Sequence, residues 1–174
     1  MHKKLAIAIS LLFFCGCSVP NRTVTLMNQF DKKEVEFIKT KGNNSLTGNA
    51  FLRKLNGEVV TCAGSNVVLL PVTKYSSERI ATYYGNTKQG FYPASNGSIS
   101  FVPNPPEFKD FVLEGQCNSD GRFEFKDIPD GEYFVLTQVS WLINQRGNEL
   151  QGGGLMKKVH ITGGNEIKII MSQQ

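Results

Sequence analysis

The sequence predicts an all-β sandwich of about seven strands, and three features of its 174 residues lead there. Between Cys117 and Trp141, in CNSDGRFEFKDIPDGEYFVLTQVSW, two alternating strands and both of their turns are legible. Val67 to Val72 is a continuous apolar run, the pattern of a strand buried on both sides. Seventeen Gly and seven Pro fit a turn-rich β architecture, while 40% apolar and 20% charged residues are ordinary for a globular chain. The length suits one domain with a core of its own.

In chain order, residues 1–16 read first as a bacterial lipoprotein signal peptide. His2-Lys3-Lys4 precedes an apolar run from Leu5 to Phe14, and Gly16 stands before Cys17. The run is too short to span a bilayer, which takes about twenty residues. The stretch resembles a lipobox with Phe14 at the third position before Cys17, so Cys17 is the expected lipidation site. Acyl chains there, palmitate among them, would hold the protein at a membrane without a transmembrane helix. Cys15 is the rival site, but the bulky Phe14 precedes it. Ser18 is the residue that an outer-membrane lipoprotein facing the periplasm commonly shows after its cysteine.

Residues 17–44 read as the lipidated tether and a short helix. Ser18 to Gln29 is polar with scattered apolar residues, as in a spacer that lifts a domain off the lipid. Asp31 can cap a helix, Glu34 can return the bond, and Phe30 can staple onto Val35, so a helix is expected to about Lys39 and a stop near Gly42. The alternative is an edge strand through Val35 to Phe37, since Glu34 and Glu36 alternate with them.

The domain proper occupies residues 45–174. Leu46 to Leu55 is its first strand, closed by the Asn56-Gly57 turn. Ala63-Gly64-Ser65 turns into the apolar run at Val67, and Pro71 makes sense only near that strand's end. An insertion, residues 72–116, follows. It holds eight of the sixteen aromatic residues that lie beyond Cys17, and Ser76 to Tyr84 can form a short helix inside it. Tyr75, Tyr83, Tyr84, Phe91 and Tyr92 are the candidate binding surface, because aromatic rings with hydroxyls suit sugars, peptides and protein partners. The same rings could instead form a lid over one sheet.

Asn118 to Gly121 turns into a strand in which Phe123 and Phe125 alternate with Arg122, Glu124 and Lys126. Pro129, which lacks an N–H, stops it, and Asp130-Gly131 reverses into the next. There Tyr133, Val135, Thr137, Val139 and Trp141 share one face and Phe134, Leu136, Gln138 and Ser140 the other. Both faces are apolar at the start, so this strand is expected at the centre of a sheet. Asn144 to Gly154 reads as loop, with Gly152-Gly153-Gly154 as a flexible turn. Leu155 to Thr162 and Glu166 to Met171 read as a closing hairpin through Gly163-Gly164.

The residues Asp120-x-x-Phe123-x-Phe125-x-x-Ile128-Pro129-x-Gly131-x-Tyr133-x-Val135 resemble the signature of the carboxypeptidase regulatory-like domain, a small transthyretin-like (prealbumin-like) β-sandwich. Gly48 to Leu52 and Gly64 to Pro71 resemble that family's first two strands. The family usually has Thr-Asp before the turn, where this chain has Ser119-Asp120. What the resemblance implies is a non-enzymatic role, since the domain is a non-catalytic appendage of carboxypeptidases. Transthyretin-like enzymes of purine breakdown carry a His and Arg cluster and a C-terminal Tyr-Arg-Gly-Ser, for which a chain ending Ile169-Ile170-Met171-Ser172-Gln173-Gln174 has no counterpart.

With Cys15 removed and Cys17 lipidated, Cys62 and Cys117 remain, each just before a strand. In an oxidising compartment such a pair is expected to be a disulfide, the alternative being two buried thiols. Nineteen basic and fifteen acidic residues include Lys3 and Lys4, so loss of the leader lowers the net charge from +4 to +2. Interleaved with acids, the remaining basic residues form no nucleic-acid stripe. Gly152 to Gly154 lacks the Lys-Ser or Lys-Thr of a phosphate loop. His160, the one histidine after the leader, has no Asp, Glu or Cys at metal-site or acid–base spacing. Asn118-x-Asp120-Gly121 begins like a calcium loop but lacks its later ligands. No cofactor or metal is therefore expected. The function that remains is a lipid-anchored binding or scaffold module of the cell envelope, with an envelope protein, peptide or glycan as partner. The alternative is an assembly subunit of a secretion or surface apparatus.

Overall fold

Tyr133, Phe134 and Val135 are consecutive and all fully buried, so the strand that carries them meets protein on both faces. The computed structural model describes residues 21–143 and 150–173, and the expected signal peptide, Cys17 and positions 144–149 of the expected loop lie outside them. In chain order the strands are β1 (Arg22–Thr25), β2 (Asn44–Arg53), β3 (Val59–Thr61), β4 (Asn66–Pro71), β5 (Gln89–Pro93), β6 (Ile99–Val102), β7 (Leu113–Gln116), β8 (Arg122–Ile128), β9 (Gly131–Leu142), β10 (Leu150–Ile161) and β11 (Glu166–Met171). One α-helix, α1 (Lys74–Tyr84), lies between β4 and β5.

Two sheets form the sandwich. The larger is antiparallel in the order β5-β10-β9-β4-β7, with β9 at its centre as its two apolar faces require. In the smaller, β2 pairs in parallel with β11 and antiparallel with β8 and β3. Leu46, Phe123, Phe125 and Ile169 of the small sheet meet Val67, Leu69, Tyr133, Val135 and Leu155 of the large one in a single core. Each such side chain contributes about 1.5–3 kcal/mol on burial. The outer face of the large sheet is covered by α1, whose Ile80 packs on Leu70, Phe134 and Met156. A separate two-stranded ladder, β1 with β6, packs Leu26, Ile99 and Phe101 against Tyr75. The disulfide Cys62–Cys117 ties the end of β3 to the end of β7 across 5.8 Å between Cα atoms.

Several elements differ from the sequence reading. Gly163-Gly164 does not close a hairpin: β9 pairs along the whole of β10 and β5 along Gly153 to Lys157, while β11 crosses to the small sheet and runs parallel to β2. Asn44 helps to draw it there by accepting the Gly164 N–H at 2.8 Å. Gly152 to Gly154 is not a flexible turn but lies inside β10, where the backbones come close. A Cβ at Gly152 would overlap the Val139 carbonyl oxygen, and one at Gly153 the Tyr92 carbonyl oxygen. The turn at Asp127 to Gly131 carries the chain from the small sheet to the large one, with Asp127 at φ 57.

The helix expected from Asp31 is a pair of 3-10 turns, Lys32–Glu34 and Glu36–Lys39. Asp31 caps the first through the Lys33 N–H at 2.9 Å. Val35 and Ile38, the buried residues of this segment, are three apart, which matches three residues per turn better than 3.6. Arg22 to Asn28 is no loose spacer, since β1 pairs with β6 there. The insertion is not simply a cover either, because β5 and β7 are the two edge strands of the large sheet. Together β1, β5, β6 and β7 raise the strand count from about seven to eleven among the described residues.

Candidate functional site

Thr73 starts α1 with a capping box: its hydroxyl accepts the Ser76 N–H at 3.1 Å and the Ser76 hydroxyl accepts the Thr73 N–H at 2.8 Å. Gly85, at φ 71, ends the helix just after Tyr83 and Tyr84. The two tyrosines are adjacent and point about 100° apart around the helix axis. Tyr83 therefore leans toward β6 and Tyr84 toward β10, while Tyr92 reaches the same space from β5, where it is in register with Gly154. Tyr83 and Tyr92 stand edge to face with ring centres 4.9 Å apart, and Tyr84 lies 6.2 and 6.4 Å from them.

These three rings wall a cleft of about 500 Å³, closed below by Gly153, Gly154, Leu70 and Leu136 and bordered by Arg79, Ser98, Phe108 and Gln138. A volume of this size with apolar walls and few polar groups is the usual form of a small-ligand site. The Tyr83 hydroxyl is committed, donating to the Ile99 carbonyl at 3.1 Å and accepting the Ile99 N–H at 3.3 Å. That of Tyr92 donates to the Asn96 carbonyl at 3.2 Å. Tyr84 differs. Among the described residues its hydroxyl has no hydrogen-bond partner, and it lies so near Gly154 that a Cβ there would come within 2.9 Å. Burial, and secondarily the neighbouring Tyr83, push its ionisation well above the ordinary phenol range.

Arg79 supplies the cleft's charge. Its Nη1 donates to the Tyr75 hydroxyl and to Asn104 Oδ1, both at 2.8 Å, and its guanidinium lies over Phe101 at 4.4 Å and Phe108 at 4.8 Å. Among the described residues no carboxylate pairs with it.

The five candidate rings therefore separate. Tyr83, Tyr84 and Tyr92 come together in the cleft. Tyr75 does not belong to any surface: it is fully buried beneath Arg79, with its hydroxyl on the Pro103 carbonyl at 2.9 Å. Phe91 packs on the main core and borders a different depression, beside Trp141, Leu55 and Pro93. Sequence reasoning missed Arg79, although its place four residues after Tyr75 and four before Tyr83 is a helix-face signal. It also missed Gly154, whose glycine run reads locally as a loop.

Elsewhere, His160 is exposed opposite Glu132. Asn118 Oδ1 is used by the turn, accepting the N–H groups of Asp120 and Arg122 at 3.0 and 2.9 Å. Among the described residues no group of three or more His, Cys, Asp and Glu side chains could hold a metal ion, and no helix is long and apolar enough to cross a membrane.

No family model and no curated protein matches the chain. Among solved structures it is similar to a proposed carbohydrate binding protein from Pseudomonas aeruginosa, at 23% identity and a TM-score of 0.68. That match covers 84% of this chain and 99% of the other. At this identity the likeness shows a shared sandwich fold.

Proposed function

We propose that the chain is a lipid-anchored, non-enzymatic binding module of the bacterial envelope whose tyrosine cleft takes a glycan. The observation that carries this is the Tyr84 hydroxyl, which has no hydrogen-bond partner among the described residues, in a cleft walled by aromatic rings. A sugar has C–H faces that pack on rings and hydroxyls that need partners, so it satisfies both features at once. The description of the similar protein from Pseudomonas aeruginosa as carbohydrate binding agrees with the reading. The sandwich itself is read as transthyretin-like, of the carboxypeptidase regulatory-like type. Acylation at Cys17 followed by Ser18 would hold it on the outer membrane, facing the periplasm.

Calorimetric titration with maltotetraose, cellotetraose and chitotetraose tests the cleft. Binding is expected for at least one sugar. Tyr84→Phe keeps the ring and removes the hydroxyl, and is expected to weaken binding roughly two- to tenfold, the loss of one hydrogen bond. No binding by any of the three, or an affinity unchanged in Tyr84→Phe, overturns the reading.

The second reading, an assembly subunit of a surface apparatus, is favoured by the exposed Leu55, Leu142, Ile143 and Leu150, three of them flanking Trp141 in sequence or across the β9–β10 ladder. Gentle membrane extraction separates the two. A stoichiometric envelope complex supports the subunit, and a free protein supports the module.

A further inference from the structure

Asn21, the first described residue, lies at the lip of the tyrosine cleft. Asn21 Oδ1 accepts the hydroxyl of Ser98, a cleft residue, at 2.7 Å, and the Arg22 N–H donates to the Ser98 carbonyl at 3.2 Å. On the opposite side Arg22 Nη2 donates to the carbonyl of Thr82, the residue before Tyr83, at 3.3 Å. From there β1 is fixed to β6 in register. Beyond it Glu78 of α1 accepts the N–H groups of Met27 and Asn28 and the side-chain amide of Asn28, at 2.7, 2.8 and 2.7 Å. The N-terminal segment is thus strapped to the helix that carries Tyr83 and Tyr84, and no free spacer remains inside the domain.

Only Ser18, Val19 and Pro20 separate Cys17 from Asn21. Fully extended, at roughly 3.3–3.6 Å per residue, that segment spans at most about 14 Å. The polar layer of one leaflet is itself about 5–8 Å deep. An acylated Cys17 therefore keeps the lip of the cleft against the membrane surface.

We infer that the cleft takes the saccharide head group of a glycolipid in the leaflet that holds the protein's own anchor, rather than a free or wall-borne glycan. This rests on the glycan reading given above and adds the source of the sugar. The short connection selects for it: a head group in the same leaflet is presented at the height of Tyr83, Ser98 and Tyr92, and anchoring both partners in one surface raises their effective concentration. A glycan held tens of ångströms away is out of reach.

The test uses the full-length lipidated protein in vesicles of phosphatidylethanolamine and phosphatidylglycerol, with its acylated Cys17 verified by mass spectrometry. Whichever tetrasaccharide of the three binds in solution is coupled to phosphatidylethanolamine and placed in the same vesicles. The head group is expected to occupy the cleft and to lower the apparent affinity for the free tetrasaccharide at least tenfold. In a second variant a spacer of about twelve prolines is inserted between Pro20 and Asn21, raising the cleft by roughly 37 Å at ~3.1 Å per residue. That variant is expected to bind free tetrasaccharide as before and to escape the competition. Equal competition in both proteins overturns the inference, as does none in the parent protein, or a mature chain without acyl groups on Cys17. If no tetrasaccharide binds in solution, the glycan reading itself fails and this inference falls with it.

Discussion

The hydroxyl of Tyr84 lies directly over Gly154, and a Cβ on that glycine would come within 2.9 Å of it. One residue earlier, a Cβ on Gly153 would overlap the backbone carbonyl oxygen of Tyr92. Adjacent glycines thus meet different obstacles, the free end of a side chain in one case and a strand's backbone in the other.

Gly154→Ala should consequently be tolerated by the fold, because the Tyr84 ring can move by a few tenths of an ångström, while the cleft narrows and sugar affinity falls. Gly153→Ala should separate β5 from β10 and cost at least about 1–3 kcal/mol. Thermal unfolding of the two variants checks the contrast. Equal midpoints would show that the close approach at Gly153 is not a constraint.

Tyr75, buried beneath Arg79, is expected to behave as core. Tyr75→Ala should cost about 3–5 kcal/mol, the range for removing a buried aromatic ring. Tyr75→Phe keeps the ring but leaves the Pro103 carbonyl without its donor, and should cost about 1–3 kcal/mol. Urea unfolding measures both. A neutral Tyr75→Ala would mean that this ring packs far less tightly than its burial indicates.

Reduction of Cys62–Cys117 should lower stability by about 4 kcal/mol, as the chain-entropy relation gives for a separation of 55 residues. The bridge joins β3, an edge of the small sheet, to β7, an edge of the large one, so its loss should loosen that end of the sandwich first. Urea midpoints with and without reductant, read together with amide exchange at Gly115 and Val60, test this. A common midpoint would contradict it.

How much of this was legible in the sequence depends on how local the cause is. The strands β2, β4, β8 and β9 follow from alternation and turn residues that lie within a few positions of one another. The Cys62–Cys117 pair follows from counting the cysteines left over if Cys15 is removed and Cys17 acylated, as the N-terminal sequence leads one to expect. The fate of Gly163-Gly164 is different, since a Gly-Gly turn is locally compatible with a hairpin, and what draws β11 away is pairing with β2 and the Asn44 contact to Gly164, both with residues far earlier in the chain. Gly152 to Gly154 reads as loop by propensity, and its true reason is the approach of Tyr92 and Tyr84 from other elements. In the site, Tyr83 and Tyr84 were found by composition. Tyr75 could not be told apart from them, because it is buried by β1 and β6, and β1 reads in isolation as a polar spacer.

The strap at Glu78 should respond to acid, and the direction follows from its contacts. Its carboxylate is held below the usual range chiefly by the Met27 N–H, then by the Asn28 N–H and the Asn28 side-chain amide. A carboxylate with a depressed folded-state value stabilises the structure at any pH above its unfolded range of about 4.3, and that contribution is lost as pH falls through the lower folded value. At neutral pH Met27 and Asn28 should therefore be held on α1, and acidification should weaken that hold while β1 stays paired with β6. Amide exchange at Met27 and Asn28, corrected for its intrinsic pH dependence, is expected to show protection at pH 6 that falls on acidification to pH 3. Glu78→Gln should weaken protection at pH 6 and remove its change with pH. Protection at Met27 and Asn28 that is the same at both pH values would show that Glu78 does not hold the segment.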